Sequence, residues 1–210
     1  MTKYLVVFDV DSTLIEDEVI ELLAEVAGKR AEVAAVTERA MAGELDFAES
    51  LIERVKTLAG LPESVFEHVQ KRITVTTGAK ALIDAVHRAG GRVGAVSGGF
   101  NQLLTPLAQH LELDFARANQ LEVVDGFLTG KVIGAIVDRQ AKADALVEWA
   151  AATDTSIERT VAVGDGANDL AMMAVAGLGV GFNCKPIVRE HADFILEGHD
   201  LSKLIEKLGL

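Results

Sequence analysis

Short, continuously apolar runs alternate along the chain with longer stretches in which apolar residues recur every three or four positions. Tyr4-Leu5-Val6-Val7-Phe8 is the first run. Residues 92–96, 160–163, 178–181 and 194–196 follow it, with Phe115-Ala116 as a shorter candidate. Runs of this length, bounded by glycine and polar residues, predict buried strands. Between them, Ala79, Leu82, Ile83 and Val86 mark one face of a helix that Gly90-Gly91 ends. Leu103, Leu104, Leu107 and Leu111 repeat that spacing, as do Ala145, Leu146, Trp149 and Ala150. This alternation predicts an α/β fold: a doubly wound, mostly parallel, Rossmann-like three-layer sheet.

Two segments interrupt the alternation. From about Glu16 to about Ile73 there is no strand signal. Four helical faces are predicted instead: Val19/Leu23/Val26/Ala27, Val33/Val36/Ala40, Phe47/Leu51/Val55/Leu58 and Val65/Phe66/Val69/Ile73. Pro62 suits the first residue of the last helix. The predicted organisation is therefore a core of residues 1–15 and 76–210, with an all-helical cap of residues 16–75 inserted after the first strand. Such a helix cluster above the sheet edge would form a lid. The second interruption, residues 121–128, contains Asp125-Gly126 and predicts a small β-hairpin.

Composition narrows the partners. Half of the 210 residues are hydrophobic, enough for a sizeable core, and the formal net charge is −12. That charge argues against nucleic acid and against anionic membrane surfaces. An anionic substrate needs a local positive pocket to overcome it. Cys184 is the only cysteine, which excludes a disulfide framework and a thiolate metal site. The five histidines have no metal-ligand spacing. No leader pattern precedes the first strand and no apolar run is long enough to span a bilayer, so a soluble cytoplasmic protein is expected. The pattern fixes no oligomeric state.

Chemistry concentrates in four polar clusters at strand ends and helix starts. Asp9 and Asp11 follow the first apolar run directly, where open α/β sheets place their ligands. Ser97-Gly98-Gly99 follows the 92–96 run and reads equally as an anion-binding turn or as an ordinary strand-to-helix turn. Lys142 shares the inward stripe of Leu146 and Trp149, reaching solvent only by snorkelling. It is either a point charge for phosphate or a surface lysine. Gly164-Asp165-Gly166-Ala167-Asn168-Asp169 suits a hard cation that takes oxygen ligands. A helix N-cap at Asn168 or Asp169 is the plainer reading, but it leaves Asp165 unexplained. A dinucleotide fingerprint fails here, because Asp169 stands where its third glycine belongs. Gathered at one sheet edge, the four aspartates would repel one another by roughly 4 kcal/mol per pair at 4 Å and an intermediate dielectric. A divalent cation, best magnesium, would relieve this, and the set then describes metal-assisted phosphoryl transfer with a carboxylate nucleophile.

In these residues the chain resembles the haloacid dehalogenase superfamily. Asp9-Val10-Asp11-Ser12-Thr13 matches its D-x-D-x-T motif; Ser97, Lys142 and the Asp165–Asp169 segment match the other three in order. Within the superfamily the chain is similar to the branch that hydrolyses O-phospho-L-serine, the last step of phosphorylated serine biosynthesis. The resemblance implies that Asp9 is the nucleophile and Asp11 the general acid and base. It implies that Mg²⁺ is held by Asp9, Asp165 and the backbone carbonyl of Asp11, with Asp169 and Asn168 in support. Ser97, Gly98 and Lys142 would bind the phosphoryl group. In the cap, Glu18 would meet the substrate ammonium and Arg54 its carboxylate, with Met41 and Phe47 closing over it. Many bacterial relatives carry N-terminal regulatory domains; this chain goes directly into its first strand, so regulation through such a domain is not expected. Residues 182–186 follow the branch's pattern only in part.

Three alternatives accompany this expectation. The phosphoryl group is passed to an acceptor such as homoserine, or the substrate is another small phosphomonoester. From a different class, the protein is a non-enzymatic phospho-aspartate switch. Such switches place the accepting aspartate after a later strand, and the run before Ser97 has none.

Overall fold

The computed structural model describes residues 4–41 and 44–210, without the side chains of Glu38, Ala40 and Met41. Its centre is β1 (Leu5–Phe8), buried along its whole length. Val6 and Phe8 point into one apolar cluster and Leu5 and Val7 into another on the opposite face. Period-two alternation thus sends one strand's side chains into two cores, which is the three-layer arrangement. β2 (Arg92–Phe100) and β5 (Thr160–Gly164) flank β1 in parallel. With β3 (Phe115–Val124), β4 (Phe127–Ile133), β6 (Leu178–Phe182) and β7 (Phe194–Leu196), the sheet order is β4-β3-β2-β1-β5-β6-β7. Only β3 and β4 pair antiparallel among the described strands.

Helices cover both faces. α5 (Ala79–Arg88), α6 (Asn101–Leu111) and α10 (Lys203–Leu208) pack on the Val6/Phe8 side. On the other side lie α7 (Arg139–Ala152), α8 (Leu170–Val175) and α9 (Pro186–Arg189). The chain runs β1 to β3 in one direction and β5 to β7 in the other, so the order reverses between β1 and β5. That reversal opens a crevice at the strands' C-terminal ends.

Between Ile15 and Val75 the described residues form α1 (Val19–Val26), α2 (Arg30–Met41), α3 (Phe47–Lys56) and α4 (Val65–Gln70). The two connections to the sheet run side by side: Glu16 N–H donates to Thr74 O, and Thr76 N–H to Leu14 O. α3 starts at a capping box in which Asp46 and Glu49 satisfy each other's backbone N–H groups.

Several expectations need correction. β2 continues to Phe100, so Ser97-Gly98-Gly99 lies inside the strand rather than after it. β3 runs ten residues, although its apolar signal stops at Ala116. Arg117 and Asn119 interrupt the pattern because their side chains bond other elements, Arg117 to Glu148 on α7 and Asn119 to Gly98 and Val137. Pro62 does not open α4, which begins at Val65; it bridges Phe127 at the outer edge of β4. There Gly60 N–H donates to Leu128 O and Leu128 N–H to Leu61 O. A proline suits such an edge, where its missing N–H is not needed. Ile73 lies beyond the end of α4. The hairpin does turn at Asp125-Gly126, with φ of 51° and 79°, as a two-residue primed turn requires.

One contact locks α7 onto the sheet. A Cβ at Gly94 in β2 would stand 2.7 Å from the Trp149 ring, which itself stacks on Phe115 at 5.2 Å between centroids. Gly94→Val should therefore overpack this layer and cost about 1–3 kcal/mol, read as a lower urea midpoint at unchanged m-value.

Candidate active site

The crevice between β1 and β5 gathers the polar clusters. Asp9 follows β1 and Asp165 follows β5, on adjacent strands. α7 starts at the Asp138 N-cap, whose carboxylate accepts from Ala141 N–H, and its first turn aims Lys142 beneath the crevice. Lys142 does not snorkel: only 1% of it is exposed. Its ammonium lies 2.6 Å from Asp9 Oδ1 and 2.7 Å from Asp169 Oδ1. Burial pushes that ammonium toward neutrality, but the two carboxylates outweigh it and hold its pKa above the ordinary lysine range.

Asp169 has no exposure, and both its oxygens are engaged. Oδ1 takes the lysine; Oδ2 accepts from the N–H groups of Asp165 and Gly166 at 3.2 and 3.1 Å. It ties the β5 loop to Lys142. Asp9 Oδ1 also accepts from Val10 N–H at 2.7 Å, whereas, among the described residues, Oδ2 meets only the Asn168 amide at 3.4 Å. Burial and the nearby Asp9 raise the pKa of Asp169 and of Asp165 above the usual carboxylate range. One oxygen from each of Asp9, Asp165 and Asp169 lies within 4.8 Å of the others. The cluster holds more negative charge than Lys142 neutralises, and every donor is oxygen. Such a set fits a hard divalent cation.

Asp11 occupies a different environment. After β1 the chain makes one wide turn, Val10–Leu14, with Ser12 at φ 56°. This turns the Asp11 carboxylate toward α1, where it accepts from Val19 N–H at 2.9 Å; Ser97 Oγ donates to its other oxygen at 3.3 Å. Burial first, then the neighbouring Glu18, raises the Asp11 pKa to about 8. It therefore holds a proton at neutral pH and can donate it. Ser97 Oγ also accepts from Gly99 N–H at 2.7 Å.

A cavity of about 320 Å³ opens above these groups. Asp9, Asp11, Gly98, Asp165 and Asn168 line its floor, while Glu18, Phe47 and Arg54 reach it from the helical insert. Ser97, Lys142 and Asp169 are not among the lining residues, but each touches one that is. Glu18 accepts from Ser12 Oγ at 2.7 Å, and burial raises its pKa. Burial lowers the Arg54 pKa, opposed by Glu18 and Asp11. Its Nε donates to Ser50 O at 3.2 Å. Phe47 rests on Gly98, where a Cβ would stand 3.0 Å from its ring. The Met41 side chain lies outside the described residues.

Sequence reasoning missed part of the wall. Val19, Ile20, Leu51 and Phe100 line it, and so does Lys185, whose ammonium is 3.5 Å from Asp165. The signal for Lys185 was its place just after β6, beside the Asp165 strand. Fully buried Asn119 also escaped notice.

The haloacid dehalogenase-like hydrolase family model matches residues 6–174. The chain belongs to that family. Two similar relatives are phosphoserine phosphatases. That of Mycobacterium tuberculosis is 54% identical over 209 residues, which is 100% of this chain and 51% of that protein. That of Streptococcus thermophilus is 53% identical over 98% of this chain and 96% of that protein. The chain therefore spans about half of some curated relatives and nearly all of others. A solved phospho-aspartyl intermediate analogue of a phosphoserine phosphatase superposes with a TM-score of 0.92 at 42% identity, covering 99% of each chain. A substrate-bound phosphoserine phosphatase complex matches equally well.

The raised carboxylates set a pH dependence. Asp11, with an ordinary pKa of 3.8, titrates at about 8 in the fold; Asp165 and Asp169 shift in the same direction. The folded state then holds more protons than the unfolded state across that window, so stability falls as pH rises through it. Lys142 shifts upward and contributes nothing to this slope below its ordinary pKa of 10.5. Thermal melts in EDTA should show Tm falling between pH 5 and pH 8, and a divalent cation should restore it most at the higher pH. Metal at about 100 times Kd adds roughly 2.7 kcal/mol. Asp165→Asn should melt higher than wild type in EDTA and lose most of the response to metal.

Proposed function

We propose that this protein hydrolyses O-phospho-L-serine to L-serine and phosphate, with magnesium, through an aspartyl-phosphate. This is the last step of phosphorylated serine biosynthesis. The observation that carries the reading is the meeting of two charge patterns in one cavity. Asp9 and Asp11 form its floor, and Glu18 and Arg54 face them from the helical insert. The floor suits a phosphomonoester; the opposed acid and base suit the ammonium and carboxylate of an amino acid. The named activities of the relatives support the same reading.

The residues divide the work. Asp9 Oδ1 is held by Lys142 and Val10 N–H, so Oδ2 is the oxygen free to attack phosphorus. As the P–O bond to serine breaks, Asp11 gives its proton to the leaving oxygen. Once deprotonated, Asp11 takes a proton from water, and the resulting hydroxide displaces Asp9 from phosphorus and releases phosphate. Asp9, Asp165 and the Asp11 carbonyl would hold magnesium, with Asp169 and Asn168 in support; when bound, it offsets the charge shared by carboxylates and phosphoryl group. Ser97, Gly98 and Lys142 fix the phosphoryl group, and Phe47 covers the substrate. Residues 16–75 form the cap that selects it, on a core of residues 1–15 and 76–210. The reading includes a cytoplasmic location; no helix among the described residues is long and apolar enough to cross a membrane.

A panel of phosphorylated amino acids, sugars and nucleotides, assayed with and without magnesium, tests the proposal. Phosphoserine should be cleaved fastest and EDTA should stop the reaction. Asp9→Asn should lower kcat on the order of 10⁴-fold or more. Arg54→Ala should lower kcat/KM for phosphoserine by roughly 10–100-fold while sparing phosphoethanolamine, which lacks the carboxylate. Rapid cleavage of another phosphomonoester with phosphoserine inert would move the substrate assignment. Phosphohomoserine formed in the presence of homoserine would make the enzyme a transferase, and a stable phosphoprotein without turnover would make it a switch.

A further inference from the structure

β2 and β3 fall out of register at the site. Val96 pairs with Arg117, and the next pair is Phe100 with Asn119. Four residues of β2 thus span the length of two of β3. The surplus, within Ser97-Gly98-Gly99, bulges from the ladder, the usual way a strand re-aims side chains beside an active site. Backbone groups that leave the ladder in a buried place need other partners.

Asn119 supplies one. It has no exposure. Its Nδ2 donates to the Gly98 carbonyl at 2.8 Å, and its Oδ1 accepts from Val137 N–H at 2.8 Å. Val137 immediately precedes Asp138, the N-cap of the helix that carries Lys142 in its first turn. One buried amide therefore joins the bulge to the start of α7. Asn101 bonds both ways with the Ala118 backbone, and Gln102 does the same with Leu121. These pairs hold β3 on either side of Asn119.

We propose that Asn119 is a positioning residue for phosphoryl binding, whose side-chain amide sets the spacing between the Ser97-Gly98 bulge and the helix that carries Lys142. The inference rests on the phosphomonoesterase reading, in which those groups grip the phosphoryl. Asn119 does not line the cavity, so it acts only through Gly98 and α7. The position needs one neutral donor and one acceptor on the same planar group. Aspartate lacks the donor, and alanine lacks both.

Asn119→Asp and Asn119→Ala, compared with wild type, test it through melting, kcat and KM for phosphoserine, and inhibition by inorganic phosphate and by L-serine. Phosphate inhibition should weaken about 10-fold and kcat fall roughly 10–100-fold, as misplacement on the order of 1 Å does. L-serine, which reads the cap contacts, should inhibit within about twofold of wild type. Folded variants with unchanged phosphate inhibition overturn the proposal, and so does equal weakening by phosphate and L-serine. If neither variant folds, wild type decides by NMR. The Asn119 side-chain amide protons should exchange slowly and shift when inorganic phosphate is added; fast exchange or an unmoved signal overturns the role. A wild type that is inert to phosphoserine yet shows that shift rejects the substrate assignment alone.

Discussion

The structure depends on one buried cation. Lys142 sits between Asp9 and Asp169, with all three groups nearly sealed from solvent. Taking three charges out of water is costly, and only close pairing offsets the cost. The arrangement therefore constrains geometry more than it adds stability: removing Lys142 would leave two buried carboxylates without their cation. Because the partners come from the end of β1, the loop after β5 and the first turn of α7, the triad sets the relative position of all three. Asp9 thereby acquires one fixed oxygen and one free oxygen. Asp169, with both oxygens engaged, holds the loop that presents Asp165.

Much of this was legible in the sequence because it is local. Apolar runs and helical spacing gave the alternation, the helical insert and the hairpin. Asp9 and Asp165 were read as strand-end carboxylates from the runs before them. What escaped depends on contacts between distant segments. Lys142 looked like a residue that would snorkel, since nothing near it in sequence shows that two carboxylates wait beneath the sheet edge. Ser97-Gly98-Gly99 looked like a turn because paired glycines usually punctuate, whereas here they bulge within a continuing strand. β3 looked two residues long because Arg117, Asn119 and Gln120 break its apolar pattern, although Asn119 is buried as completely as the valines of β1. Pro62 was placed in a helix because only the pairing with β4 makes it an edge residue. A polar side chain within a strand pattern is thus ambiguous from sequence: it ends the strand or bridges a buried irregularity.

The insert shows the same logic in the charges. Glu18 and Arg54 are ordinary surface types on amphipathic helices, and their spacing alone allows a rim position. Burial raises the pKa of the first and lowers that of the second, so both favour their neutral forms more than they would in water. A zwitterionic ligand end between them would restore the charge balance that burial disturbs. In the proposed reading, the cap would contribute specificity because its charges are incomplete without a partner of opposite pattern.

The two aspartates of the first motif differ through their neighbours. Asp9 faces a buried ammonium; Asp11 faces Glu18, a serine hydroxyl and one backbone N–H. One carboxylate is thus held beside a positive charge, while burial first, and then Glu18, raises the pKa of the other. The wide turn at Val10–Leu14 makes this division possible. Two residues apart in a regular strand, both carboxylates would share one face and crowd the same lysine. By swinging Asp11 toward the insert, the turn places the two carboxylates in different surroundings, one on Lys142 and the other against the start of α1.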